Sequence, residues 1–438
     1  MSVQGYDEFE RDEELLEARR LKRLEMKRKR KMQQRIILGV LAIVLILAIV
    51  LIVKGCSSEK PPEPEQEETV APPVEPEKPP VEPDTTATLA AVGDIMVYDE
   101  QIADAKQEDL TYDFSESFSA ISAYTTSPDL MVGNLELNFL GSNYGGKPTW
   151  SAPESLATNL KDIGFDILQT ANTYSINNGV NGLTNTIKFL NSAGIEHVGT
   201  YIDSSEKADG GGVLIREVNG IKFAFLAFTK GVNGFTLPSG SEYCVDLLYK
   251  DYNSNYSNVN EDAIVARLDA AKQHDPDVII AMLHWGSEYK TEISESMKEI
   301  QDLLLKGGVD VILGSHSHVV GPMEMVRVKT NDGETKECFV AASLGNFYSY
   351  MSNDYTMESV ILNLEFTKSG ETGKTSISKA EYTPLYILDR GAEADVRFEV
   401  LPIRAALETS IFEDYRTQML DAIDHIKTNS NSTFDSGK

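Results

Sequence analysis

The chain has 438 residues, 41% of them hydrophobic, with 40 Lys+Arg against 68 Asp+Glu and a net charge of −28. That composition excludes a wholly disordered chain and a small disulfide-stapled peptide. Net acidity also excludes nucleic acid as the expected partner, because such binding depends on neutralising phosphates with Lys and Arg.

Residues 1–35 form a leader with 11 Lys+Arg and 8 Asp+Glu, the basic residues massed at 22–31. Residues 36–53 then carry no charged or strongly polar side chain. Eighteen residues of helix rise roughly 27 Å, close to the ~30 Å hydrocarbon core of a bilayer, so this stretch reads as a transmembrane helix. The competing readings are a buried core helix and a cleaved signal peptide, for which a 35-residue charged leader is long. Positive charge on the N-terminal flank puts the leader in the cytoplasm and everything after residue 53 outside the cell, at the membrane. Cys56 suggests a lipoprotein cleavage site, but Lys54 and Gly55 precede it where small apolar residues are wanted.

Residues 54–87 form a linker with nine prolines between Pro61 and Pro83, interleaved with Glu. Such a stretch buries no core and reads as a semi-extended, solvated spacer. Beyond the leader remain 29 of the basic and 60 of the acidic residues, net about −31, a surface that repels anionic lipid and polymer unless a metal or basic patch intervenes. Cys244 and Cys338 stand far apart in sequence, either as a disulfide or as two unpaired core thiols.

From residue 88 the pattern turns globular. Strands are predicted at 89–97, 129–137, 165–170, 194–199, 278–284 and 309–313, and helices at 153–163, 183–193, 262–274 and 293–306, three of them stopped by Gly. Strands joined by helices imply parallel pairing with crossovers. Hairpins are predicted where 213–218 and 221–228 flank Asn219-Gly220, and where 324–329 and 337–342 flank Asp332-Gly333. The sum is an α/β domain over 88–403 with parallel and antiparallel portions. A helix at 411–426 and a polar, disordered tail at 427–438 make up the C-terminal part, 404–438.

Polar residues collect where the strands end, which in an open α/β sheet is where ligands bind. Asp94, Glu136, Asn172, His284, His316 and His318 occupy those ends. Each alone has a bland explanation as a turn, a cap or a hydrogen-bonded core residue. Jointly they say more, because three of only six histidines sit at strand ends and His-x-His projects two imidazoles near one point. Carboxylates, an Asn carbonyl and imidazoles together suit Mn²⁺, Fe²⁺ or Zn²⁺. Six ligands can hold one or two such divalent ions, the arrangement that clamps attacking and leaving oxygens in phosphate-ester hydrolysis. His197, His274 and His425 read as surface or packing residues.

The ordered series Gly-Asp, Asn-Leu-Glu, Ala-Asn, His-Trp-Gly-x-Glu and Gly-x-His-x-His, followed by Ser343-Leu344-Gly345-Asn346-Phe347, resembles the CapA family of poly-γ-glutamate capsule biosynthesis proteins, within the calcineurin-like metallophosphoesterase superfamily. The resemblance implies a four-layer sandwich of two mixed β-sheets flanked by helices, with the metal centre at its upper edge. By position it implies that Asp94, Glu136, Asn172, His284, His316 and His318 are the metal-ligand set, with Glu136 a bridge. It also implies a role in assembling or anchoring an anionic surface polymer beside its synthesis complex. One motif departs from the family, which commonly reads Ala-Asn-Asn-His-x-x-Asp-x-Gly where this chain has Tyr174 for the His and Asn177 for the Asp. The resemblance makes those two the catalytic positions, and Tyr is neutral at pH 7 with an ordinary pKa near 10, so weak or altered hydrolysis is expected. Two functions follow: a metal-dependent hydrolase or transferase acting on a phosphoester or the γ-glutamyl polymer, and a metal-stabilised binding module without turnover.

Overall fold

The computed structural model describes residues 82–437. The leader, the expected span at 36–53 and nearly all of the linker lie outside the described residues. Among the described residues, no helix is long and apolar enough to cross a membrane.

In chain order the strands are β1 (Thr85–Ile95), β2 (Leu130–Leu135), β3 (Ile167–Gln169), β4 (Glu196–Val198), β5 (Leu214–Val218), β6 (Ile221–Thr229), β7 (Val278–His284), β8 (Val311–Ser315), β9 (Met323–Lys329), β10 (Thr335–Ala341), β11 (Asn346–Tyr348), β12 (Glu358–Lys368), β13 (Thr375–Asp389) and β14 (Phe398–Pro402). They build two mixed sheets. The first runs β14-β13-β12-β1-β2-β3-β4, with β11 also pairing β1; the second runs β5-β6-β7-β8-β10-β9. Within the first sheet β1 to β4 are parallel, and within the second β6, β7, β8 and β10 are. The crossover helices expected from sequence are observed at Ser155–Asp162, Gly179–Ala193, Glu261–Gln273 and Glu295–Lys306. Ser294 caps the last of these by accepting from the Met297 N–H at 3.3 Å, and Gly194 ends the second in the left-handed conformation.

Period-two alternation explains the layering. Along β1, Leu89 and Ala91 join a core made with Phe223, Phe225, Ile280 and Met282 of the second sheet, whereas Ala90 and Val92 face Leu156, Leu160 and Phe118 on the other side. The second sheet does the same: Ile279 and Ala281 turn away from the inter-sheet core onto Ile264, Leu268, Ile300 and Leu304. Both faces of the central strands are therefore buried, which is why they read as nearly continuous apolar runs.

The C-terminal expectation is corrected in two places. In place of one helix from 411, short helical segments at Ile403–Leu407 and Ser410–Tyr415 precede an α-helix at Arg416–Asn429. The polar residues after 426 are ordered rather than loose: the helix continues to Asn429, Asp435 bridges to Tyr382 and ion-pairs with Arg404, and Lys427 lies 3.6 Å from Asp435. Charge pairing adds to one apolar anchor there, Phe434, whose ring lies 5.2 Å from that of Phe339. Cys244 and Cys338 are buried and free, so the unpaired-thiol alternative holds.

Candidate metal centre

The parallel strands of both sheets deliver their carboxyl ends to one place. Asp94 lies at the end of β1, Glu136 just past β2, Asn172 past β3, His284 at the end of β7, and His316 and His318 past β8. Two glycines permit this convergence. A Cβ on Gly93 would lie 1.8 Å from the Gly345 carbonyl oxygen, which accepts the Asp94 N–H at 2.9 Å, and one on Gly314 would lie 2.0 Å from the Ala342 carbonyl oxygen. Only a residue without a side chain lets the backbones close to that distance. Beyond Gly314 the chain turns sharply, holding His316 and His318 at φ 92° and 60°. A non-glycine residue held there costs on the order of 1–3 kcal/mol, which the surrounding packing must offset.

The side chains form two overlapping groups, Asp94/Glu136/His284 and Glu136/His316/His318, each with its ligand atoms within 4.8 Å of one another. All five residues are buried. Glu136 belongs to both groups. Its Oε1 lies 3.2 Å from His284 Nε2, while its Oε2 is buried without a hydrogen-bond partner in the protein. A carboxylate oxygen so placed is costly unless a cation meets it, so the donor set fits a divalent ion.

The imidazoles are aimed by their neighbours. Ser315 Oγ lies 3.1 Å from His284 Nδ1, which leaves Nε2 facing Glu136. His318 Nδ1 lies 3.0 Å from both Asp94 Oδ2 and Asn346 Oδ1, and the Asn346 amide is fixed by donating to the Thr356 carbonyl at 2.9 Å. Such outer partners set ring orientation and tautomer at metal sites. Burial alone would raise the Asp94 carboxyl, but the bond and charge of His318, with His284, hold it below the usual carboxylate range. At His318 burial opposes the charged ring, and the Asp94 bond and the Glu136 charge outweigh it, so the ring is raised. Burial, reinforced by His284, pushes His316 well down, leaving a neutral imidazole suited to coordination.

The third motif is placed differently from the rest. Asn172 is buried, but its amide donates to Asn134 Oδ1 at 3.1 Å and to the Leu135 carbonyl at 2.7 Å, and its Oδ1 accepts the Tyr174 N–H at 3.1 Å. It braces the loop. The Tyr174 ring packs on Trp150 with centroids 4.8 Å apart, beside Met96 and Met351. Burial, with the charges of Glu136 and Glu288, pushes its phenol up, so it stays a neutral hydroxyl. Asn177 donates to the Pro148 and Thr149 carbonyls at 3.0 and 3.2 Å and accepts from Asn233 Nδ2 at 3.3 Å, tying the loop to 148–149.

Two further residues join the site. Asn134 donates to Asp94 Oδ1 at 2.7 Å and touches His284 Nδ1 at 3.4 Å. Its spacing two residues before Glu136, on the same side of an extended strand, was a signal that could have found it. Thr173 Oγ1 lies 2.8 Å from His284 Nε2 and 3.4 Å from His316 Nδ1, and it stands where the Ala-Asn-Asn-His pattern has its second Asn, a departure that could have drawn attention to it.

The PGA biosynthesis protein CapA of Bacillus subtilis (strain 168) is 26% identical over 312 residues, 69% of this chain and 74% of that protein. Capsule biosynthesis protein CapA of Bacillus anthracis is 24% identical over 292 residues, 65% of this chain and 64% of that protein, so this chain spans less than two thirds of it. Among solved structures, a candidate 5′-nucleotidase from Staphylococcus aureus in complex with alpha-ketoglutarate aligns at 14% identity and a TM-score of 0.42, over 77% of this chain and 58% of that one. The profile of the bacterial capsule synthesis protein PGA_cap matches residues 88–351, more than half of the sequence, and the chain accordingly belongs to that family.

Proposed function

We propose that the chain is a membrane-anchored, extracellular component of capsule or envelope-polymer biosynthesis, of the poly-γ-glutamate type, with a two-metal site of weak or altered hydrolytic activity. The observation that carries this reading is Glu136, shared by both ligand groups and holding a buried carboxylate oxygen without a protein partner. Asp94, Glu136 and His284 would hold one divalent ion, and Glu136, His316 and His318 the other, with Mn, Fe or Zn suited to the donors. Ions bound there supply Lewis-acid polarisation of a phosphoryl or carbonyl oxygen. The chain's own residues exclude water through the buried imidazoles and present Tyr174 as a neutral donor.

Replacing the chromosomal copy by a Glu136→Ala variant should lower cell-bound anionic polymer. Wild-type polymer levels, with the variant present at the membrane in normal amount, refute the role. Topology is checked separately: a reporter active only in the cytoplasm, fused after Lys438, should be silent, and activity there sinks the orientation.

A second reading is a non-catalytic, metal-stabilised scaffold that contacts the polymer's synthesis complex. It is favoured by one observation, Tyr174 packed on Trp150 at the position where the family pattern has histidine.

A further inference from the structure

We infer that Thr173 supplies a metal ligand of this centre through its hydroxyl, an inference that rests on the metal-centre reading above. The loop that follows β3 is pinned on either side of this residue. Asn172 spends its side chain on Asn134, the Leu135 carbonyl and the Tyr174 N–H. Ser175 Oγ donates to the Thr170 carbonyl at 2.7 Å and accepts the Asn172 N–H at 2.8 Å. Between these anchors Thr173 is the residue the loop presents to the imidazoles.

Its contacts span the centre. Oγ1 lies 2.8 Å from His284 Nε2, an atom of the Asp94/Glu136/His284 group, and 3.4 Å from His316 Nδ1, in the Glu136/His316/His318 group. His284 Nδ1 is already held by Ser315 Oγ, so Nε2 is the atom free to coordinate, and it faces Thr173 and Glu136 together. Ligand geometry then makes the distances informative. Two atoms each about 2.1 Å from one ion are roughly 3.0 Å apart at a right angle and roughly 3.4 Å apart at a tetrahedral angle. The observed 2.8, 3.2 and 3.4 Å among Thr173, His284, Glu136 and His316 are separations of that kind. A neutral hydroxyl also adds an oxygen donor without adding to the charge of Asp94 and Glu136.

The test uses full-length protein in detergent, stripped with chelator and titrated with Mn(II), with Co(II) absorption as a second readout. Thr173→Val keeps the shape and removes the hydroxyl, and it should weaken binding of at least one ion by about 10-fold or more and shift the Co(II) band. Thr173→Ser should retain wild-type behaviour in both. Wild-type affinity, stoichiometry and Co(II) spectrum in Thr173→Val overturn the inference, as does a Thr173→Ser variant that loses metal as Val does, since the methyl group would then be what matters. Should Thr173→Val fold poorly, Thr173→Ala, matched to wild type in its metal-free melting temperature, is read in the same way. A wild-type protein that binds neither ion defeats the metal-centre reading itself, a result distinct from any difference between variants.

Discussion

If the wild-type protein purifies with divalent metal, a His316→Ala, His318→Ala double variant is expected to retain little of it. Both imidazoles are buried beside Glu136, and their removal leaves that group with one protein ligand of its three. Since even the outer partners of metal ligands are worth 10–100-fold in affinity, losing two direct ligands should cost more than about 100-fold. His318 Nδ1 also lies 3.0 Å from Asp94 Oδ2, and losing that buried hydrogen bond to a carboxylate costs about 1–3 kcal/mol. A lower melting temperature should therefore accompany the loss, and a single His316→Ala variant, which leaves the Asp94 pair intact, separates the two effects. Elemental analysis after gel filtration is the measurement. Metal content equal to wild type in the folded double variant refutes the site.

Tyr174→His is expected to raise kcat on a generic aryl phosphate ester by at least ~10-fold, with bound metal little changed. The loop holds residue 174 in place through the backbone, its N–H on Asn172 Oδ1, so exchanging the ring does not release it. Imidazole has an ordinary pKa near 6.5 and exchanges protons at neutral pH, which the raised phenol of Tyr174 does not. The companion change Asn177→Asp looks useful from the sequence motif alone. The structure argues against it: the Asn177 amide donates to the Pro148 and Thr149 carbonyls, and a carboxylate would face both oxygens unpaired. Adding Asn177→Asp should thus bring no further gain and cost about 1–3 kcal/mol of stability. Steady-state rates of the two variants decide, and a flat response with metal still bound favours the scaffold reading.

The strand ends were legible because a long apolar run followed by a polar residue reports its own geometry: residues 278–284 were predicted as a strand and are observed as β7. From there the carboxyl-end rule led directly to Asp94, Glu136 and the histidines. What stayed hidden depended on partners distant in sequence. β13 carries Pro384 in its interior, opposite Val360, a residue that argues against a strand until the neighbouring pairs are known. Thr173 and Asn172 are adjacent short polar residues, and only the loop's hydrogen bonds show that one braces the backbone while the other faces the imidazoles. The tail around Asp435 is polar enough to read as loose, and it is held by Arg404, 31 residues earlier.

Asp94, Glu136 and Thr173 come from the first sheet, whereas His284, His316 and His318 come from the second. An ion bound among them is a clasp between two halves that at that edge already touch through polar side chains, His318 on Asp94 and His284 on Glu136. Its binding energy is then part of the cohesion of the sandwich, and free metal at 100 times its dissociation constant adds about 2.7 kcal/mol. The ambient supply of metal, through nothing but mass action, would govern how tightly the two sheets are held together and how readily the domain opens to a protease.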